Sequence, residues 1–366
     1  MRTTRLAAAI AALPFVLPMA APVIAAEPSP SPVVDASPVP SATPAPPLPS
    51  PFPDDQPLLV SQLVVTLGTP GVDATVAIVA PFDGSSRVLA PGSDPWPDPD
   101  GRRLLYTCAP SGPSGQRLGI CDLSLAGEPD PTVRIAKGDR PTTPKDGTLI
   151  AYHRGTIDVG ETWVARRDGS GATRIAAGDL RAWSADGTLL AGQADAAVHE
   201  VAVVPVAGGT PRILSIGDEA VWWPAGPVVA FRAWDGVRAS IVIADARQDA
   251  AQLVYRAPDG RSIDALAWLP DDALAFVMDG DLYRLDYGAT DPVPLTDGLA
   301  IAGPLSISPD GGWIAFVTPG TTGGELGIAS PYGGWRIVDL GDAPVSQPAW
   351  LPYRDPGRVP AATPAG

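Results

Sequence analysis

Short apolar runs recur along the chain, each opened by a polar turn and most closed by an aromatic. The segments WPDPDGRRLLY, TPKDGTLIAY, WSADGTLLAG, WWPAGPVVAF, WLPDDALAF and ISPDGGWIAF end at Tyr106, Tyr152, Gly192, Phe231, Phe276 and Phe316, at spacings of 46, 40, 39, 45 and 40 residues. Behind each comes a second alternating run, such as LGICDLSLAG, ETWVARRDG or GDLYRLDYG, and then a short third run ending in glycine, such as VRIAKG or TRIAAG. Period-two alternation rich in β-branched residues and bounded by Gly, Asp and Pro predicts strands rather than helices. Four short strands per unit of about 40 to 45 residues are the pattern of a propeller blade.

The ends complete the count. Residues 58–67, 74–84 and 87–92 supply three strands of a unit that lacks its first, and SQPAWLP at 346–352 supplies an opening strand without followers, with Trp350 in the place of Trp96, Trp183, Trp222 and Trp268. The expected fold is therefore all-β, a β-propeller of seven four-stranded blades closed between the N- and C-terminal strands, with six blades as the alternative. Closure removes the exposed edges that an open ring would leave. The recurring tryptophans just ahead of each apolar run are expected to pack between neighbouring blades; Trp163, Trp234, Trp313 and Trp335 lie off that position.

At WPDPDGRRLLY and ISPDGGWIAFV the chain resembles the TolB-type, WD40-like (PD40) propeller repeats, whose hallmark is a Pro-Asp-Gly turn followed by an aromatic-closed strand. The resemblance spans residues 58–353. It implies a propeller and an envelope protein that binds a partner, as TolB proteins bind a peptidoglycan-associated lipoprotein. TolB proteins carry an α/β domain before a six-bladed propeller, whereas a proline-rich stretch precedes the repeats here and their count is seven.

Flanking segments add an address. Residues 1–26 carry Arg2 and Arg5, then an alanine-rich apolar run ending Ile24-Ala25-Ala26, which reads as a secretory signal peptide, with an uncleaved anchor as the other reading. Residues 27–57 hold 12 prolines in 31 positions, an extended linker with nothing to bury, and 354–366 read as a disordered tail. The expected location is secreted or extracytoplasmic, in periplasm or cell envelope, with no stable membrane span after cleavage. There the two cysteines, Cys108 and Cys121, are expected to form a disulfide across a hairpin, with Cys108 opposite Cys121, Tyr106 opposite Leu123 and Leu104 opposite Leu125.

Charge excludes one class of partner. The leader holds two arginines and no acid, so the rest of the chain sets 23 basic against 40 acidic residues, and such a surface repels nucleic acid. No G-x-S-x-G motif and no phosphate-binding glycine loop occurs, and His153 and His199 neighbour no nucleophile motif. Asp98 to Gly101 resembles the start of a calcium loop, but position twelve is Ala109, so a turn is expected. Catalytic residues, a metal site and a cofactor are not expected, apart from a divalent cation in the channel as an option.

One constellation points to binding. Glycine followed by an acid recurs where one unit passes to the next, at Asp139, Asp179, Asp218 and Asp342, with Asp94 close behind Gly92; Glu219 and Asp264 add to the set, and Arg140 and Arg181 partly offset it. Rotation from blade to blade would gather these acids at one channel mouth, favouring a cation or basic peptide. The same pattern also suits a plain turn. The expected function is a binding module for a protein, peptide or glycan. The alternative is a metal-dependent lactonase- or lyase-like propeller enzyme.

Overall fold

The computed structural model describes residues 62–70, 72–108, 118–126, 131–155, 160–195, 199–248, 251–320 and 323–352. The expected leader, linker and tail lie outside the described residues. Among those residues there are 28 strands and no helix, arranged as seven four-stranded antiparallel sheets. Blades 2 to 7 each use four consecutive strands, beginning with the innermost strands Ser93–Pro97, Asp139–Thr142, Asp179–Trp183, Asp218–Trp222, Ile263–Trp268 and Ala302–Ile307. Blade 1 takes its innermost strand, Val345–Trp350, from the other end of the chain and sets it beside Leu63–Leu67, Thr75–Val79 and Ser86–Pro91. The count is seven, and closure joins Leu63 to Trp350 and Leu67 to Val345 in one ladder.

The core is a ring of seven clusters, one between each pair of neighbouring blades. Leu104, Tyr106, Cys121 and Leu123 face Val64, Val76 and Ile78 of blade 1, while Leu105 and Ile120 on the other face of the same sheet meet Ile150 and Tyr152 of blade 3. Strand alternation thus feeds both interfaces, which is why these runs are apolar on successive positions. The ring closes where Ala315, Leu326 and Ile328 of blade 7 meet Leu63, Val65, Ala77 and Trp350 of blade 1. Tyr106, Tyr152, Phe231, Phe276 and Phe316, the residues that close the repeated runs, are among the largest fully buried side chains.

The recurring tryptophans stitch blades together. The indole N–H of Trp183 donates to Thr142 Oγ1 (3.1 Å), that of Trp222 to the Ala182 carbonyl (2.8 Å), that of Trp268 to Val221 (3.2 Å) and that of Trp350 to Ser306 (3.0 Å), each on the innermost strand of the preceding blade. Trp96 reaches the following blade instead, at Thr143 Oγ1 (3.2 Å).

Cys108 and Cys121 are bonded, with Cα atoms 5.8 Å apart. Their register differs from expectation by two residues: Cys108 stands opposite Gly119, Tyr106 opposite Cys121, and Leu104 opposite Leu123. The bridge is therefore diagonal. A shift of two leaves every side chain on its face, so Leu104, Tyr106, Cys108, Cys121 and Leu123 still share one cluster. At Asp98 to Gly101 the Gly101 N–H bonds the Asp98 carbonyl at 2.8 Å, and the Asp98 carboxylate takes Arg167 at 2.5 Å, so the segment is a turn tied to its neighbour blade.

Candidate functional site at the channel mouth

Each innermost strand carries a β-bulge near its start. Between Ser93 and Trp96 the innermost strand of blade 2 spends one residue more than its partner does between Thr107 and Leu105, and the same offset occurs at Asp139/Thr142, Asp179/Ala182, Asp218/Val221, Ile263/Leu266 and Ser346/Ala349; Ala302/Ser306 inserts two. Bulges re-aim side chains and strengthen local twist. The second bulge position has a left-handed backbone at Asp94 (φ 52°), Arg140 (50°), Glu219 (54°) and Gln347 (53°), and glycine occupies it in blade 7 at Gly303 (81°). Non-glycine residues rarely adopt this conformation, and its recurrence at one ring position marks the mouth as a place where the fold holds polar side chains in costly geometry.

The register assigns the acids. The first bulge position holds Ser346, Ser93, Asp139, Asp179, Asp218, Ile263 and Ala302 in blades 1 to 7, and the next holds Gln347, Asp94, Arg140, Leu180, Glu219, Asp264 and Gly303. Five adjacent blades, 2 to 6, therefore deliver carboxylates to one mouth. Asp342 does not share the position. It lies exposed in the loop ahead of Val345–Trp350, and Ser346 and Gln347 stand where the repeat would have placed it. The sequence pattern misplaced it because the last connection is longer before the strand begins.

The preceding glycine has its own cause. A Cβ at Gly92 would lie 2.6 Å from the Tyr106 ring, at Gly138 2.5 Å from the Tyr152 ring, and at Gly217 2.1 Å from the Arg232 carbonyl and 3.1 Å from the Phe231 ring. Close packing of the buried aromatic under the junction requires glycine there. In blade 4 the aromatic is replaced by Gly192, whose Cβ would meet the Leu180 Cα at 2.7 Å, and buried Leu180 belongs to the cluster between blades 3 and 4. That is why this blade alone among 3, 4 and 5 has an apolar second position.

Arginines run between the acids. Arg140 spans blades, bonding Asp179 Oδ2 at 2.9 Å and Asp139 Oδ1 at 3.3 Å. Arg181 clasps Asp179 with Nε and Nη2 and gives Nη1 to the Arg140 carbonyl at 2.8 Å. Arg232, on the second strand of blade 5, holds Asp218 through two bonds of 2.5 and 2.6 Å and reaches the Ile263 carbonyl (2.7 Å) and Asp264 Oδ1 (3.3 Å) in blade 6. His153 Nδ1 lies 3.0 Å from Asp139 Oδ1, and its buried Nε2 packs over Gly160. Arg232, Gln347 and His153 lay outside the glycine-acid pattern; the only sequence signal for the two second-strand residues is their place one step beyond the buried aromatic, at Tyr152-His153 and Phe231-Arg232.

Burial shapes the electrostatics. It works against ionised Asp179, yet Arg181 and Arg140 outweigh it and hold the carboxyl below the usual range. Asp179 first, then Asp94 and Asp139, more than offset the burial of Arg181 and raise it. Glu219 behaves oppositely. Enclosure within the channel, reinforced by Asp218 and Asp264 and opposed by Arg232 and the Leu266 N–H, pushes it up to about 7 even though water reaches its side chain. Six carboxyl groups (Asp94, Asp139, Asp179, Asp218, Glu219, Asp264) face three guanidiniums, an excess of two to three negative charges at neutral pH, as Glu219 is about half protonated there, on the side spanned by blades 2 to 6. Among the described residues no three His, Cys, Asp or Glu side chains converge to hold a metal ion. A cleft of about 280 Å³ opens beside this mouth over blade 5, lined by Ile216, Asp218, Arg232, Trp234, Ser262 and Asp264 among others.

No family model matches the chain, and no curated protein sequence matches it. Solved structures do. TolB from Acinetobacter baumannii aligns over 80% of this chain and 67% of its own, at 16% identity and a TM-score of 0.52. The periplasmic gluconolactonase of Pseudomonas aeruginosa aligns over 81% of this chain and all of its own, at 14% and 0.56. An oligogalacturonate lyase from Vibrio parahaemolyticus aligns over 73% and 91%, at 11% and 0.57. At these identities the likeness is one of fold, and propellers of this kind serve binding and catalysis alike.

Proposed function

We propose that this protein is an extracytoplasmic binding module whose propeller mouth holds a basic group of a protein, peptide or glycan partner without turning it over. The observation that carries this reading is the carboxylate surplus assembled by five adjacent blades, held in place by bulges and left-handed backbone. A partly enclosed channel focuses such a field, because its low-dielectric walls screen less than open water. The export-like N-terminal run supports an address outside the cytoplasm, and one structural neighbour is named as periplasmic. The arginine pairing of Asp139, Asp179 and Asp218 supports binding over metal-assisted chemistry, since those carboxylates turn toward guanidiniums and not toward one another.

The test is fluorescence anisotropy with a labelled oligolysine peptide against an oligoglutamate control. The lysine peptide binds selectively, and Asp94→Asn with Glu219→Gln weakens it several-fold, as does raised salt. Equal affinity in the double variant, or no preference for the basic peptide, overturns the reading. Turnover of a lactone or of oligogalacturonate, the chemistries named for two of the similar structures, would replace it with the enzyme alternative.

A further inference from the structure

Resting on the mouth-binding reading above and narrowing it to one place, we infer that the cleft over blade 5 receives a single lysine or arginine side chain of a peptide partner. Its stem lies on Trp234 and Ile216 and its charged head meets Asp264.

Trp234 is 53% exposed and Ile216 59% exposed. Both line the same cleft as Asp218 and Asp264. The two carboxylates are not equivalent. Both oxygens of Asp218 are taken by Arg232, at 2.5 and 2.6 Å. Asp264 has only a 3.3 Å contact with Arg232 and a 3.0 Å bond from Ser262 Oγ, and its side chain is 47% exposed. Asp264 is therefore the group with acceptor capacity to spare, beside an accessible indole. Arg232 has no comparable reserve toward an anion, since its three nitrogens are engaged by Asp218, the Ile263 carbonyl and Asp264.

This pairing selects the ligand. Long cationic side chains have an apolar stem and a charged tip, and bury the first while keeping the second on a polar partner. An indole face attracts such a cation, with tryptophan the best of the aromatic rings for it. The cleft, at about 280 Å³, lies at the lower edge of the range of about 300–1,000 Å³ typical of small-molecule sites. That size suits one side chain better than a drug-sized ligand.

The experiment is an NMR titration of the full chain with ¹⁵N-labelled tryptophan, the Trp234 indole signal being assigned with Trp234→Phe. The probes are Nα-acetyl-lysine methylamide, its arginine counterpart, the Nε-acetylated lysine compound as uncharged control, and a galacturonate trimer. Both cationic probes are expected to shift the Trp234 signal and the neutral control is not. Asp264→Asn should weaken the cation by about three- to fivefold at the Trp234 signal, and Trp234→Ala, which removes that reporter, should weaken it by about as much when read by titration calorimetry, with unchanged melting curves showing that the fold survives. Loss of the cationic shift at Trp234 while oligolysine still binds the mouth overturns the cleft and leaves the mouth reading standing. Failure of both the compounds and oligolysine overturns both. A shift at Trp234 from the galacturonate trimer alone overturns the ligand class.

Discussion

Gln347 grips Asp94 from both directions across 253 residues of sequence: its Oε1 accepts the Asp94 backbone N–H at 2.9 Å, and its Nε2 donates to Asp94 Oδ1. Thr66 Oγ1 donates to the same Oε1 at 2.9 Å. One amide thus links the C-terminal strand, the N-terminal strand and blade 2 at the mouth. Ring closure and the candidate site are the same piece of structure there, since Asp94 is one of the six carboxylates.

Gln347→Ala should cost about 1.5–3 kcal/mol, the usual worth of hydrogen bonds to a charged group. Trp350→Ala should cost more, about 3–5 kcal/mol, because a buried indole in the closing cluster leaves a cavity. Deleting residues 345–366 removes the innermost strand of blade 1 and should lower the melting temperature sharply. Calorimetry of the three variants checks the order; a deletion that melts like the parent would refute closure.

Asp122 is 1% exposed and accepts from Arg103 Nε (2.8 Å), Arg167 Nη2 (3.1 Å) and Arg134 Nε (3.2 Å). Removing the carboxylate takes this partner from Arg103 and Arg134 and leaves Arg167 with Asp98 alone, three guanidiniums beside one another. Asp122→Ala should destabilise by about 3–5 kcal/mol, read from urea midpoints at unchanged m-value, whereas exposed Asp100→Ala should stay within about 0.5 kcal/mol.

The Cys108–Cys121 bridge spans a short loop, and replacing both cysteines by alanine should cost about 2–4 kcal/mol. Peptide mapping without reductant tests the bond itself. Two freely alkylated thiols in protein isolated from an oxidising compartment would refute it.

Glu219 should make stability fall with rising pH. Its folded-state value of about 7 lies above the ordinary 4.5, so the folded protein holds a proton that the unfolded chain has released, and the contribution present below about 4.5 is lost through about 7. Asp218, Asp264 and Arg232 are the charged groups that act on it. Glu219→Gln should flatten the slope of melting temperature between those limits. Identical pH profiles for parent and variant would show that the carboxylate is not enclosed as described. Asp179 has the opposite sign: held below its usual range, it lends stability at neutral pH that is lost as pH falls into the acid range.

Architecture was open to reading along the chain because a blade is a local object. The aromatic-closed runs from Tyr106 to Phe316, the glycine turns and the orphan strand at Trp350 each obey strand alternation within a few residues, so seven blades and their closure follow from counting. Glycines 92 and 138 also carry their cause nearby, in the rings of Tyr106 and Tyr152. What only tertiary structure decided are relations across blades. The linear glycine-acid pattern cannot show that Asp342 stops short of the bulge while Gln347 enters it. Nor can it show that Arg232 and His153, on second strands, reach inward to Asp218 and Asp139. Opposite charges meet over a ring of repeats by rotation and bulge register, neither of which leaves a periodic mark in sequence. The exposed face of Trp234 was hidden for the same reason: an indole off the repeat position reads as packing or surface alike until the cleft beside Asp264 gives it a place.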